Sequence, residues 1–387
     1  MPMDYILRLP EYEKVIKSIK ETIITNIVLV GQVPAPTFSE QNRTKVILER
    51  MSELNIDECS TDNYQNPIGI IRGRRRDKPP LFVVAHIDTI FDEDIDHNYT
   101  VKEKYITGPG ILDNSAGVGI LVSLPEIFKK LNLHFESDIV LAGVVQSIGK
   151  GNLRGIRHLL RGWPSPIRGA ICLEGCDLGR LNYYSNGMMR CEISCNISSK
   201  QGWENNFRPN AILILYEVIN KILKLRLPQR PQARVIFGKI SGGVKHGKIA
   251  LKAKLGFEIQ SDSEEMVREI YDDIRDIVNG ISHERAVDLK LKTISSTNPA
   301  RLQFSHPLVK QAVSVMKTLG IAPVSGNSES ELSIFLANNI PAVTLGMSKG
   351  NNYHLENGSI EIEPIFTGIA QVIGVLLALD SGEFDVS

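Results

Sequence analysis

The sequence predicts an α/β protein: a mostly parallel sheet with helices on both faces, plus an inserted ferredoxin-like α+β unit. Three observations carry this. Short runs rich in β-branched and aromatic residues, at 80–85, 138–145 and 169–173, read as strands buried on both faces, and helical periodicities separate them. From about 188 to 297 the style changes to half-exposed, alternating strands. The buried style then returns with Pro341-Ala342-Val343-Thr344-Leu345.

The elements follow in order. Residues 12–28 repeat with helical period, as do 43–54 after the turn signals Pro34 and Pro36. Residues 68–71 read as a strand and 80–85 as a fully buried one. Residues 115–131 read as a helix opening on small residues, with a kink expected at Pro125. Strand 138–145, helix 153–160 and strand 169–173 complete the first part. The insertion runs as strand 190–198, a helix from Pro209-Asn210-Ala211, strands 233–240 and 248–260, a helix opening at Ser263-Glu264-Glu265, and strand 286–294. That β-α-β-β-α-β order is the split pattern of a separate small domain. The expected division is therefore 1–187 with 298–387, interrupted by 188–297.

Bulk properties exclude several classes. With 387 residues, two domains are expected on length alone. Forty-four basic and forty-four acidic residues balance, which argues against nucleic acid or an anionic membrane as partner. The run Arg72-Gly73-Arg74-Arg75-Arg76 reads as a solvated turn before a strand. The N-terminus has no basic segment followed by a long apolar stretch, and the apolar run at 372–379 suits a buried helix better than a bilayer span. Five cysteines are an odd set in a large chain, so a disulfide framework is not expected. Cys172 and Cys176 flank Glu174 without the spacing of a zinc knuckle and read as buried thiols. Cytoplasmic residence fits these features.

Ligands of α/β sheets sit at the carboxyl ends of parallel strands. His86 and Asp88 follow one such strand, Gln146 and Ser147 a second, and Glu174 a third. Asp113 lies in a loop feeding a helix N-terminus, and His354 follows the strand ending at Leu345. These polar groups should converge on one edge.

The chain resembles the zinc-dependent exopeptidase and deacylase family of peptidase T, glutamate carboxypeptidase, acetylornithine deacetylase and succinyl-diaminopimelate desuccinylase. The resemblance covers nearly the whole length. It rests on Ala85-His86-Ile87-Asp88-Thr89, on 108–117, on 149–155, on Leu173-Glu174-Gly175, on Trp203 through Ile212, on Ser241-Gly242-Gly243 and on 339–346. The resemblance implies that His86, Asp113 and Glu174 bind one Zn2+, and that Asp113 bridges to a second held also by His354. Asp88 would orient His86. It further implies homodimerisation through the insertion, and a small peptide or N-acyl amino acid as substrate.

Three departures fall on three chemical roles. The family has a Glu-Glu pair where Gln146-Ser147 stand: the first is the proton-transferring base, the second a metal ligand. An amide takes no proton near neutral pH, and a neutral hydroxyl is a poor zinc ligand. Gln201 stands where a lid histidine of the family steadies the oxyanion. One zinc site is thus expected, with the second weak or empty. Either the chain is a hydrolase with an altered, impaired centre, or it is a non-catalytic descendant that binds a peptide or amino-acid derivative or serves as a structural dimer.

Overall fold

The computed structural model describes residues 4–54, 56–198, 209–328 and 330–382. The chain divides into two compact units, residues 1–184 with 301–387 and residues 185–300.

The larger unit is built on a seven-stranded sheet. Its spatial order is Glu58–Thr61, Pro67–Ile71, Ile139–Val144, Leu81–His86, Gly169–Cys176, Ala342–Ser348 and Leu181–Asn182. The four strands from Ile139–Val144 to Ala342–Ser348 run parallel, and the outer ones join antiparallel. These central strands are buried along their whole length, which explains their continuous apolar composition. Alternation then sends successive side chains to opposite layers. Leu81, Val83 and Ala85 enter the main core with the helices Lys20–Gly31, Ala116–Lys130 and Glu363–Asp380. On the other face, Phe82 meets Trp163 and Phe335 edge-on, with ring centroids 4.8 and 6.2 Å apart. Helices Ile111–Lys130 and Glu363–Asp380 are long and apolar enough to cross a bilayer, yet most of each is buried within this core.

Two local expectations change. The periodic stretch at 12–28 forms two helices, Asp4–Lys17 and Lys20–Gly31. Ser18 separates them: its hydroxyl donates back to the carbonyl of Val15 at 2.6 Å and competes with helix continuation. Conversely, helix Ala116–Lys130 continues through Pro125.

The smaller unit has one antiparallel sheet in the order Ala233–Gly242, Lys252–Ser261, Gly187–Asn196, Asp288–Thr297. Helices Ala211–Leu223 and Glu264–Arg285 share a single apolar core with it. Both begin at side-chain caps: Asn210 accepts from the amide of Ile212, and Ser263 from that of Met266. Strand Lys252–Ser261 is flanked on both sides, so the free edges belong to Ala233–Gly242 and Asp288–Thr297.

A buried arginine locks the larger unit together near the sheet's carboxyl edge. Arg43, on helix Gln41–Glu53, is 1% exposed. Its guanidinium donates to the carbonyls of Val33 (2.5 Å) and Ile87 (2.9 Å), and more weakly to Gly31 and the Ser115 hydroxyl at 3.3 Å. Burial pulls its pKa down to about 10, so it stays charged at neutral pH. Ile87 lies between His86 and Asp88, and Ser115 lies two residues after Asp113. One cation therefore holds two functional loops in register. Arg43→Met should leave these carbonyls unpaired in the interior and cost about 2–5 kcal/mol. Urea unfolding measures this; a loss below about 1 kcal/mol would show that the loops do not depend on it.

Candidate metal centre

His86 is the last residue of its strand, in register with Val144 of the neighbouring one. Glu174 lies within Gly169–Cys176, opposite Gly346. Asp113 comes from the irregular turn Ile111–Ser115, where its own φ and ψ are extended. The clamp between these last two is Asn114. Its amide donates to the Leu173 carbonyl at 2.8 Å and accepts from the Gly175 amide at 2.9 Å, gripping the backbone on both sides of Glu174. The two segments approach so closely that a Cβ on Gly175 would lie 2.6 Å from the Leu112 carbonyl oxygen. Only glycine fits there.

The outcome is a compact donor set. One nitrogen of His86 and one oxygen each of Asp113 and Glu174 lie within 4.8 Å of one another. His86 Nε2 is 3.0 Å from one Asp113 oxygen, and His354 Nε2 is 3.1 Å from the other. Asp113 thus faces a histidine on each side, the arrangement a bridging carboxylate needs. His354 arrives on a separate small sheet: Ser359–Glu361 pairs with Tyr105–Thr107, and the Gly108 amide donates to the Gly358 carbonyl at 2.9 Å.

Asp88 organises the loops. It is fully buried, and its carboxylate accepts from the amides of Ser147 (3.1 Å) and Ile148 (2.9 Å) and from the Thr37 hydroxyl (2.8 Å). His86 Nδ1 sits 3.5 Å from the same carboxylate and 3.1 Å from the Asp88 carbonyl. With Nδ1 held on this side, Nε2 is turned toward Asp113.

Electrostatics suit a cation. Burial, reinforced by the charges of Asp113 and Glu331, pushes Glu174 up to about 7, against His86 and Arg180. Burial disfavours charge on His86 and on Asp113. In both, the mutual bonds outweigh it, aided by Asp88 at His86 and by His354 at Asp113. His86 is thereby held well above its ordinary value, and Asp113 below the usual carboxylate range.

The remaining positions behave differently. Ser147 is buried, but its hydroxyl donates to Glu331 at 2.6 Å. Gln146 has a left-handed backbone, φ 53°, and its backbone N–H donates to the Glu40 carboxylate at 2.9 Å. Gln201 and Trp203 lie outside the described residues, as does Glu329. Asp177 is largely exposed beside Arg180, and Glu356 is exposed. Cys172 and Cys176 are buried free thiols; burial pushes the latter up to about 12.

Sequence reasoning missed Arg43, Glu40 and Glu331, and gave Asn114 no task. Glu331 carried one usable signal, an acid placed directly before the apolar run Leu332–Ala337.

The fold recurs in known proteins. The chain is similar in structure to aminopeptidase PepT from Bacillus cereus, with 16% identity, TM-score 0.72, and 93% of this chain and 98% of that one covered. The di-peptidase Dug1p of Saccharomyces cerevisiae is similar at 13% identity and TM-score 0.76, covering 99% and 100%. The YXEP protein of Bacillus subtilis, described as a dinuclear metal binding peptidase of the M20 family, is similar at 14% identity and TM-score 0.68, covering 94% and 99%. No curated protein sequence matches. Residues 82–378 match Peptidase family M20/M25/M40, and over that span, which is most of its length, the chain belongs to this family.

Proposed function

We propose that the protein carries a metal-dependent hydrolase site for peptides or N-acyl amino acids, reduced to one strong cation position and impaired in proton transfer. The observation that carries this is the buried convergence of His86, Asp113 and Glu174. One nitrogen and two carboxylate oxygens are a suitable donor set for zinc, with a position left open for substrate. When bound, such an ion would polarise the carbonyl of the scissile amide. Asp88 fixes the orientation of His86, and Asn114 fixes the spacing of Asp113 to Glu174. The second position keeps Asp113 and His354 but lacks an anionic group at 147.

Cation binding must displace protons from this set. Glu174, at about 7, and His86, above its ordinary value, both hold protons more tightly in the fold than in the unfolded chain. Those protons stabilise the fold at low pH, and that stabilisation is lost as pH rises through the folded values. The same protons compete with the ion. Zinc affinity should therefore rise with pH between about 5 and 8, with proton release, in isothermal titration across buffers of different ionisation heat. A flat profile would show that these groups are not the ligands.

Gln146 favours a second reading, binding without turnover, because an amide cannot accept the proton of an attacking water. The two readings separate in one assay of di- and tripeptides and N-acyl amino acids with added zinc, cobalt or manganese. Native turnover should stay below about 1 per second. Gln146→Glu with Ser147→Glu should restore part of it. Native turnover in the ordinary enzymatic range contradicts the impaired centre, and failure of the double variant to gain activity favours the binding protein.

The inserted unit would pair two copies. Helix Ala211–Leu223 leaves Leu213, Tyr216 and Leu223 more than 60% exposed, and Ala233–Gly242 has a free edge beside exposed Ile236 and Ile240. Such an apolar face with an unpaired strand suits a symmetric interface. The reducing cytoplasm suits the free cysteines. Sedimentation should report a dimer that Leu213→Glu with Tyr216→Glu dissociates; a wild-type monomer at micromolar concentration would contradict it.

A further inference from the structure

Glu331 is 2% exposed. It stands at the N-terminus of the helix Leu332–Ala337, where an acidic side chain ordinarily accepts from the helix's own free amides. It makes no such bond. The carboxylate instead reaches across the sheet edge to the Ser147 hydroxyl, 2.6 Å from Oε1. Among the described residues this is its one side-chain hydrogen bond, and no basic side chain pairs with it. Its charge nevertheless acts on His86, Glu174 and Cys172, so it lies near the first cation position.

A desolvated carboxylate with a single neutral donor is costly to keep. Asp88, equally buried, is supported by two amides and a hydroxyl, and Asp380 by two amides. Those two acids have two or three donors each; Glu331, among the described residues, has one. It is not one of the three close donors, and its hydrogen bond is to Ser147.

From this geometry we infer that Glu331 supplies negative charge to the first cation position, and does not replace the ligand that the second position lacks at 147. It is a positioning residue, the buried counter-charge for a divalent cation at His86, Asp113 and Glu174, and it is itself held by the Ser147 hydroxyl. Position 147 itself keeps only a small hydroxyl, and the negative charge comes from a different segment of the chain. In a low-dielectric interior a nearby carboxylate strengthens the field on a bound cation without ligating it. The inference rests on the cation site proposed above.

The test uses chelator-treated, full-length protein and zinc alone as the probe. Glu331→Gln keeps the shape and removes the charge. Its metal-free melting temperature should rise above wild type, its zinc-induced rise in melting temperature should shrink, and its zinc dissociation constant should weaken about 10- to 100-fold in isothermal titration. Ser147→Ala keeps the charge but removes its donor, so metal-free stability should fall while zinc affinity changes less than in Glu331→Gln. Glu331→Asp, which retains the charge, should retain more zinc affinity than Glu331→Gln, and decides the matter should Glu331→Gln fold poorly. If Glu331→Gln binds zinc as wild type does, or if Glu331→Asp binds no better than Glu331→Gln, the counter-charge assignment is overturned while the cation site stands. A wild-type protein that binds no zinc, matching an Asp113→Asn control, overturns both.

Discussion

Desolvated carboxylates set the terms for the carboxyl edge of this sheet. A buried acid must be met by hydrogen-bond donors or by a cation, and the fold does each in separate places. Asp88 is met by backbone amides and a hydroxyl, and in being met it ties the Ser147 loop and His86 together. Asn114 does comparable work with a neutral amide, pinning the Asp113 turn to both sides of Glu174. Arg43 supplies the single buried guanidinium beneath these loops, and spends its donors on carbonyls rather than on acids. Among the described residues Glu331 has one donor, the Ser147 hydroxyl, and its charge acts on Glu174, a member of the candidate donor set.

Much of this was readable from residue order. Mostly apolar runs such as 80–85 and 341–345 read as central strands, and the ends of such strands pointed to His86, Glu174 and the 146–147 turn. The insertion was legible because alternating strands and capped helices replaced that style; Asn210 and Ser263 cap as their sequence contexts imply. Asp113 and His354 were placed by resemblance, and the distances between them follow from tertiary pairing of Tyr105–Thr107 with Ser359–Glu361.

The rest was hidden for physical reasons. An arginine on an amphipathic helix normally points to solvent, and nothing in residues 41–53 says that Arg43 turns inward. Glu331 lies 184 residues from Ser147, and an acid at a helix start has an ordinary local explanation that only the three-dimensional bond removes. The Ser18 break in the first helical stretch was equally silent, because a serine within a helical period is common. In each case the decisive partner is distant in sequence or on the backbone, where composition carries no signal.

On the function proposed above, Gln146 and Ser147 would leave the scaffold of a two-cation centre with the chemistry of one. Asp113 presents an oxygen to each histidine, so on that reading a frame for a second ion would persist without the charge to hold it. Crystals grown with zinc and measured at its absorption edge address this asymmetry directly. The account predicts one strong anomalous peak bounded by His86, Asp113 and Glu174, with weak or no signal between Asp113 and His354. Two peaks of equal occupancy, or none at all, would contradict it.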